Sequence, residues 1–295
     1  MHSRYRPELT QAGLPATSPT RAVDEYGNVR EMHIADERPL TLYVDSFELV
    51  TLMTLGTHPE LLALGYMRNQ GLISSLSEVK SVQVDWEVNA AAITTFAGRD
   101  DWQQRLGPRI VTTGCGQGTV FGNIMQNLHD IRIQPITLQQ SRLYALLKNL
   151  NEYNEVYRNA GAVHGCALCE DDRVLLFIED VGRHNAVDAI AGQMWLDHTD
   201  GAGKIFYTTG RLTSEMVIKV GQMGIPVLMS RSGITQMGLK IARDLGVTLL
   251  SRVQGKHFLA YNGAEHIRHD VVLPPKVDVA NVVVRAGDQT TAADA

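Results

Sequence analysis

The apolar residues of this chain recur at two spacings, one typical of strands and the other of helices. Period-two alternation predicts strands at 40–45, 81–86 and 92–96. A spacing of about 3.6 residues predicts helices over 57–71 and 138–153. The first half of the chain is therefore expected to hold a small α+β lobe.

The second half alternates more regularly between the two spacings. Short apolar runs predict strands at 174–178, 204–208, 226–230 and 247–253, and the segments between them predict helices at 184–196, 214–223 and 234–245. Strands that alternate with helices are typical of an α/β core in which helices cover a partly parallel sheet. The predicted fold class is α/β, a mixed sheet covered by helices with a second, smaller α+β lobe.

These patterns suggest four segments. We expect an irregular leader over 1–37, an N-terminal lobe over 38–134 that carries the Cys115 loop, an α/β core lobe over 135–268, and a C-terminal extension and tail over 269–295. The last residues are small and polar, which predicts a disordered tail.

Composition narrows the functional classes. The net charge of −5 disfavours bulk binding to nucleic acid, and the absence of a run of eighteen apolar residues predicts no membrane span. The polar start lacks the apolar region of a secretory signal, so a cytoplasmic protein is expected. Thiols stay reduced in the cytoplasm, and three cysteines therefore indicate chemistry or burial rather than a disulfide framework.

Cys115 lies among glycines, in the segment Gly114-Cys115-Gly116-Gln117-Gly118. A glycine-rich loop can hold a thiol open to a partner, and an accessible thiolate is a nucleophile. The alternative interpretation is a small buried residue in a tight turn.

A second candidate is the segment 161–169, where His164, Cys166 and Cys169 lie close together. A Cys-x-x-Cys pair can bind zinc or cycle as a dithiol. The alternative is that both cysteines are small buried residues on an apolar helix beside the sheet.

Three predicted strand ends carry glycine and arginine. They lie in the segments 179–188, 208–215 and 230–235. Ligands of α/β sheets bind at the carboxyl ends of strands, and arginine binds phosphate through its guanidinium, so Arg183 and Arg211 are candidate ligand-binding residues. Helix capping and surface ion pairs are the alternative. The chain has neither a P-loop lysine motif nor a Gly-x-Gly-x-x-Gly fingerprint, which disfavours ordinary ATPase and NAD-enzyme functions.

Together these motifs resemble a known family. The segments EDVGRHNAVD, TTGRLTSEMVIK, SRSGIT, AVHGCAL and Gly-Cys-Gly resemble the formate dehydrogenase accessory sulfurtransferase family, FdhD, over about 38–268. The resemblance implies a two-lobed fold like that of cytidine deaminases and a homodimer. The His-x-Glu and Pro-Cys-x-x-Cys constellation of zinc deaminases is missing from the sequence, so deaminase chemistry is not implied.

The resemblance also implies a function. Members take persulfide sulfur from a cysteine desulfurase and pass it to the Mo-bis(molybdopterin guanine dinucleotide) cofactor, which formate dehydrogenase needs. The cofactor is a bound acceptor, and no permanent cofactor is expected. The persulfide cysteine falls on Cys115, and the family's cofactor-binding stretch falls on Arg252, Val253, Gln254, Gly255, Lys256 and His257.

One departure leaves a second function open. Many members carry another cysteine where this chain has Gly118, so no disulfide can form within this loop. The alternative is therefore a chaperone that holds the molybdenum cofactor for formate dehydrogenase without covalent sulfur chemistry.

Overall fold

The structure is a computed structural model that describes residues 5–98, 102–106 and 131–274. Cys115 and its glycines lie outside the described residues, as does the predicted tail. No helix within the described residues is both long and apolar enough to cross a bilayer.

The smaller sheet has five strands in the order β1-β6-β7-β4-β5. Its alternating strands bury one face, as the fully buried Leu40, Leu42 and Val44 show for β4. The strands are β1 (Glu8–Leu9), β4 (Arg38–Val44), β5 (Phe47–Thr54), β6 (Val79–Asp85) and β7 (Ala90–Thr95).

The larger sheet has six strands in the order β10-β9-β11-β12-β13-β14. β11, β12 and β13 are parallel, whereas β9 runs antiparallel to both of its neighbours. The strands are β9 (His164–Glu170), β10 (Arg173–Asp180), β11 (Ile205–Thr208), β12 (Val227–Ser230), β13 (Thr248–Gln254) and β14 (His257–Asn262). This mixed sheet with helices between its parallel strands confirms the α/β class.

Seven α-helices lie within the described residues. They are α1 (Pro59–Asn69), α2 (Trp102–Leu106), α3 (Gln140–Leu150), α4 (Glu155–Ala160), α5 (Arg183–Leu196), α6 (Ser214–Gln222) and α7 (Gln236–Leu245). Two short strands, β8 (Leu138–Gln139) and β15 (Ile267–Arg268), pair with each other, and two 3-10 turns cover Leu76–Glu78 and Ala264–His266.

Helices α1 and α5 pack against each other between the two sheets. Gly65 of α1 and Gly192 of α5 allow this close approach, because a Cβ at Gly65 would overlap the carbonyl of Asp188 and one at Gly192 would overlap that of Leu61. One hydrophobic core runs from the smaller sheet through both helices to the larger sheet. The two sheets are thus joined by packing.

The expected irregular leader is wrong for two segments. β1 pairs with β6, while β2 (Thr17–Val23) and β3 (Val29–Ala35) form an antiparallel hairpin. The turn is held by the Asp24 carboxylate, which accepts hydrogen bonds from the backbone N–H groups of Tyr26 (3.1 Å) and Asn28 (2.9 Å). Such local bonding from an aspartate is a turn signal, and Gly27 supplies the positive φ of 82° that the turn needs.

Candidate functional site

A cavity of about 410 Å³ opens at one edge of the larger sheet. Because β10 to β13 all end at this edge and the antiparallel β9 begins there, residues distant in sequence meet around it. The lining residues are mostly polar: Asn154, Tyr157, Val163, His164, Gly165, Thr209, Arg231, Ser232, Arg252 and Gln254. Such convergence of arginines with hydroxyl and amide groups suits an anionic ligand.

Arg252 and Gln254 are the two residues of the predicted binding stretch that line the cavity. They alternate with Val253, whose side chain is fully buried in the core beneath the sheet. The prediction for Val253 is therefore wrong for its side chain, because neighbouring residues of a strand face opposite sides.

The rest of the predicted stretch forms the connection to β14. Gly255, with a φ of 58°, and Lys256 make the turn, and His257 begins the strand. All three are exposed and none of them lines the cavity.

The backbone of Arg252 has a φ of 55°, in the left-handed region that non-glycine residues rarely adopt. The pairing of β13 with β14 shifts register between Ser251 and Gln254, so Arg252 lies in a bulge. Its N–H donates to the carbonyl of Ser232 at 3.2 Å. Bulges redirect side chains, and here the bulge goes with an arginine in the cavity wall.

Arg231 enters the cavity wall from the end of β12. It lies close to Tyr207, a buried residue of the neighbouring β11. Burial raises the pKa of Tyr207 to about 12, although the nearby charge of Arg231 opposes this, so the hydroxyl stays protonated. Arg231 thus brings its positive charge to the cavity wall next to a neutral hydroxyl.

His164 lies in the wall opposite the end of β11. Its Nδ1 is 3.3 Å from Thr209 Oγ1, and Thr209 Oγ1 also accepts from the N–H of Gly165 at 3.1 Å. Burial lowers the pKa of His164, and the charges of Arg183 and Arg211 lower it further. These two predicted arginines are therefore close enough to act on the cavity, although neither lines it.

Most of the remaining polar residues in the segment 179–188 hold the structure together. The Asp180 carboxylate accepts from Thr54 Oγ1 (2.6 Å), Leu55 N (3.1 Å), Gly182 N (3.0 Å) and Asn185 Nδ2 (2.8 Å). Asp180 thus joins the end of β5 in the smaller sheet to the start of α5. Burial raises its pKa, as expected for a carboxyl group this far from water.

Glu179 positions the cavity wall from below. Its carboxylate accepts hydrogen bonds from the backbone N–H groups of Val156 and Tyr157, both at 2.9 Å, at the start of α4. Tyr157 belongs to this short helix, and Asn154 is the residue that precedes the helix. Both line the cavity, so Glu179 helps to position this part of the wall.

A buried ion pair and a buried histidine–carboxylate contact lie beneath the same segment. Lys219 Nζ is 2.6 Å from the Asp188 carboxylate, which also accepts from Asn69 Nδ2 at 2.7 Å. His184 Nε2 lies 3.3 Å from Glu215, and burial lowers the pKa of His184 to about 3. The expected surface ion pairs of this segment are therefore interior contacts that join α5 to α1 and α6.

Comparison with known proteins places this architecture. Residues 35–268 match the model of the FdhD/NarQ family. The chain belongs to the FdhD/NarQ family. Its matched range holds every residue of the cavity, the whole larger sheet and every strand of the smaller sheet except β1.

Relatives of the FdhD/NarQ family match at low identity and nearly full length. The sulfur carrier protein FdhD of Geobacillus kaustophilus is 30% identical over 253 residues, covering 84% of this chain and 96% of that protein. The protein of the same name from Bacillus pumilus is 26% identical and is covered to 98%.

A solved structure shares the fold. A crystal structure from Desulfotalea psychrophila, described as that of a candidate formate dehydrogenase accessory protein, superposes with a TM-score of 0.68. It is 23% identical and covers 85% of this chain and 98% of that one.

The Cys-x-x-Cys pair of this FdhD/NarQ member lies on strand β9 and not on the helix that the sequence suggested. Cys166 contacts the core between the sheets and Cys169 the core on the opposite face. Both thiols are fully buried, and burial raises the pKa of each to about 12. Two cysteines on opposite faces of a sheet cannot bind one zinc ion, and no group of three metal-ligating side chains is found across the described ranges.

Sequence reasoning missed Arg231, Ser232 and Thr209 as individual cavity residues, although the segments that contain them were singled out. His164 was considered as a zinc ligand rather than as part of an anion-binding wall. The available signal was the repetition of glycine, arginine and hydroxyl residues at successive strand ends. This repetition locates the site at one edge of the sheet, but it does not tell which side chains face the cavity. Cys115 lies outside the described residues, so its role stays a prediction.

Proposed function

We propose that this protein carries sulfur: it accepts persulfide sulfur from a cysteine desulfurase on Cys115 and transfers it to Mo-bis(molybdopterin guanine dinucleotide) for formate dehydrogenase. The arginine-lined cavity at the sheet edge is the observation that supports it best. A guanine dinucleotide carries phosphates, and Arg231 and Arg252, with Arg183 and Arg211 nearby, supply the matching charge. The relatives are named sulfur carrier proteins, which supports the sulfur-carrying part of the proposal.

The first transfer needs an accessible thiolate. The Cys115 thiolate attacks the terminal sulfur of the desulfurase persulfide, the S–S bond breaks, and the desulfurase cysteine leaves as a thiolate. Cys115 then carries the sulfur as a persulfide. On delivery the S–S bond breaks, its electron pair stays on Cys115 as a thiolate, and the acceptor takes the terminal sulfur and supplies the two electrons that reduce it to sulfide. Because Gly118 leaves no second thiol in this loop and the thiols of Cys166 and Cys169 are buried, we propose direct delivery without a disulfide intermediate.

Labelled sulfur tests the carrier function. After incubation with a desulfurase and ³⁵S-cysteine, we expect label on the wild-type protein, its release by a reductant, and its loss in Cys115→Ala. Cys169→Ala is the matched control, because a thiol buried with a pKa of about 12 should contribute nothing. Undiminished label on Cys115→Ala would refute the carrier function.

The chaperone function is a second candidate, because the cavity alone could hold the cofactor. Maturation of formate dehydrogenase in a deletion strain separates the two. A carrier loses activity with Cys115→Ala, whereas a chaperone keeps it and loses activity only when Arg231 and Arg252 are replaced. Activity retained by Cys115→Ala and lost by Arg231→Ala would favour the chaperone.

The broader assignments complete the proposal. We propose that the protein works in the cytoplasm as a homodimer without nucleic-acid or membrane partners, and that its larger sheet is related to that of cytidine deaminases. Analytical ultracentrifugation would test the dimer.

A further inference from the structure

The contact between His164 and Thr209 has a donor pattern that depends on charge. A hydroxyl has one hydrogen to donate and two lone pairs to accept with. One lone pair of Thr209 Oγ1 already accepts from the N–H of Gly165 at 3.1 Å. The hydroxyl hydrogen is then available for Nδ1 of a neutral His164, 3.3 Å away.

A charged imidazolium reverses this arrangement. Nδ1 then carries a hydrogen and donates to the second lone pair of Thr209 Oγ1, so the hydroxyl hydrogen needs a new acceptor. Thr209 and His164 both line the cavity, and so do the guanidinium groups of Arg231 and Arg252, which can only donate. An anion oxygen in the cavity is an acceptor of the kind that the freed hydroxyl needs.

The charges around His164 oppose its protonation while the cavity holds no anion. The charges of Arg183 and Arg211 act on the imidazole, whereas the two nearby carboxylates of β10 are engaged by the contacts described above. The surrounding groups are Arg183 and His184 from α5, Arg211 from the loop after β11, Arg231 after β12, Arg252 from β13, Tyr157 from α4, and Glu179 and Asp180 from β10. An anion among the arginines offsets their positive charge, which favours the imidazolium.

We propose that His164 takes up one proton from solvent when the cavity binds a phosphate-bearing anion, and that Thr209 then turns its hydroxyl from the imidazole to the anion. No covalent bond other than the new N–H forms or breaks. The inference rests on the proposed anion site and adds to it a proton that couples binding to pH.

Calorimetry on the full chain tests the coupling. The probe is P1,P2-di(guanosine-5′) diphosphate, because its diphosphate diester does not titrate between about pH 5.5 and 8.5, so any proton taken up belongs to the protein. We expect Kd to rise with pH, by about tenfold for each unit by which the probe raises the pKa of His164. The heat of binding should also vary with the ionisation enthalpy of the buffer.

Variants assign the proton. His164→Gln should bind the probe with a Kd independent of pH and without buffer-dependent heat. His33→Gln is the matched control, because His33 Nδ1 makes a 3.3 Å contact with Thr17 Oγ1 of the same kind but in the exposed hairpin. This control should keep the wild-type proton uptake. Thr209→Val should weaken binding most at low pH, where the freed hydroxyl contributes.

A second measurement avoids dependence on the variants. In wild-type protein labelled at histidine ¹³Cε1, the His164 resonance should titrate at higher pH when the probe is bound. A bound probe with no proton uptake and no shift of this titration would overturn the coupling and leave the anion site intact. Absence of any probe binding would overturn the anion site and the coupling together.

Discussion

Arg252 combines an unfavourable backbone conformation with a position in the cavity wall. Left-handed backbone costs a non-glycine residue about 1–2 kcal/mol, and Arg252 has a φ of 55°. We expect Arg252→Gly to leave the free energy of unfolding unchanged or to raise it by up to about 1 kcal/mol, because glycine adopts this φ freely. The same variant should weaken binding of the dinucleotide probe at least tenfold, since one of two arginines in the wall is lost.

Urea denaturation and calorimetry measure the two effects. Arg252→Lys is the control that keeps charge and strain, and it should bind more tightly than Arg252→Gly but less tightly than wild type, because lysine lacks the planar fork. Destabilisation of Arg252→Gly by several kcal/mol would show that the side chain supports the fold rather than the site.

The sequence alone could locate the residues of this site only in part. Resemblance pointed to the stretch 252–257, and strand alternation then separates Arg252 and Gln254 from the buried Val253. Which polar residues of the segment 179–188 face inward could not be predicted, because Asp180 and Asp188 are satisfied by Thr54 and Asn69 from a distant part of the chain.

The contact between α1 and α5 depends on glycine. Gly→Ala in a helix is ordinarily stabilising by about 1 kcal/mol, but a Cβ at Gly65 would overlap the backbone carbonyl of Asp188. We therefore expect Gly65→Ala to destabilise the protein by about 2–4 kcal/mol, because two helix backbones must move apart. Denaturant unfolding measures this loss.

Gly221 of α6 offers a matched control. A Cβ there would meet the side chain of Leu245, which can change rotamer, rather than backbone. Gly221→Ala should therefore cost clearly less than Gly65→Ala. Equal losses would mean that moving the two helix backbones apart costs no more than moving the Leu245 side chain.

Elements with strong local patterns were predicted, and those specified by distant partners were not. The strands and helices over 204–254 agree with the sequence within a few residues, because apolar runs alternate there with amphipathic segments. For β9 the sequence offers a helix as an alternative, since Gly165, Cys166 and Ala167 lack the β-branched side chains typical of strands. It is a strand because it lies between β10 and β11. The hairpin β2–β3 was missed because its strands are mostly exposed and carry little apolar alternation.

The two sheets are joined by packing and by polar contacts in the same core. Leucine and alanine side chains of α1 and α5 fill the space between them, while Asp180 and the Asp188–Lys219 pair bridge separate elements. Removal of one partner from a buried ion pair is costly because the remaining charge has no water to solvate it. The cavity edge is thus held by the same contacts that hold the molecule together, and damage to them should reduce stability and binding alike.

His184 makes the stability of the whole molecule depend on pH. Burial lowers its pKa to about 3 in the folded protein, whereas the pKa of a histidine in the unfolded chain is about 6.5. As pH falls below about 6.5, the unfolded state takes up a proton that the folded state does not, so stability is lost down to the folded pKa. The slope contributed by this residue approaches about 1.4 kcal/mol per pH unit.

Urea unfolding of wild type and His184→Gln between about pH 7 and 5 measures this slope. The variant should be less stable at neutral pH, because Glu215 loses its 3.3 Å contact with His184, but its stability should fall less steeply with acid. Parallel pH profiles would show that His184 is not the group that titrates.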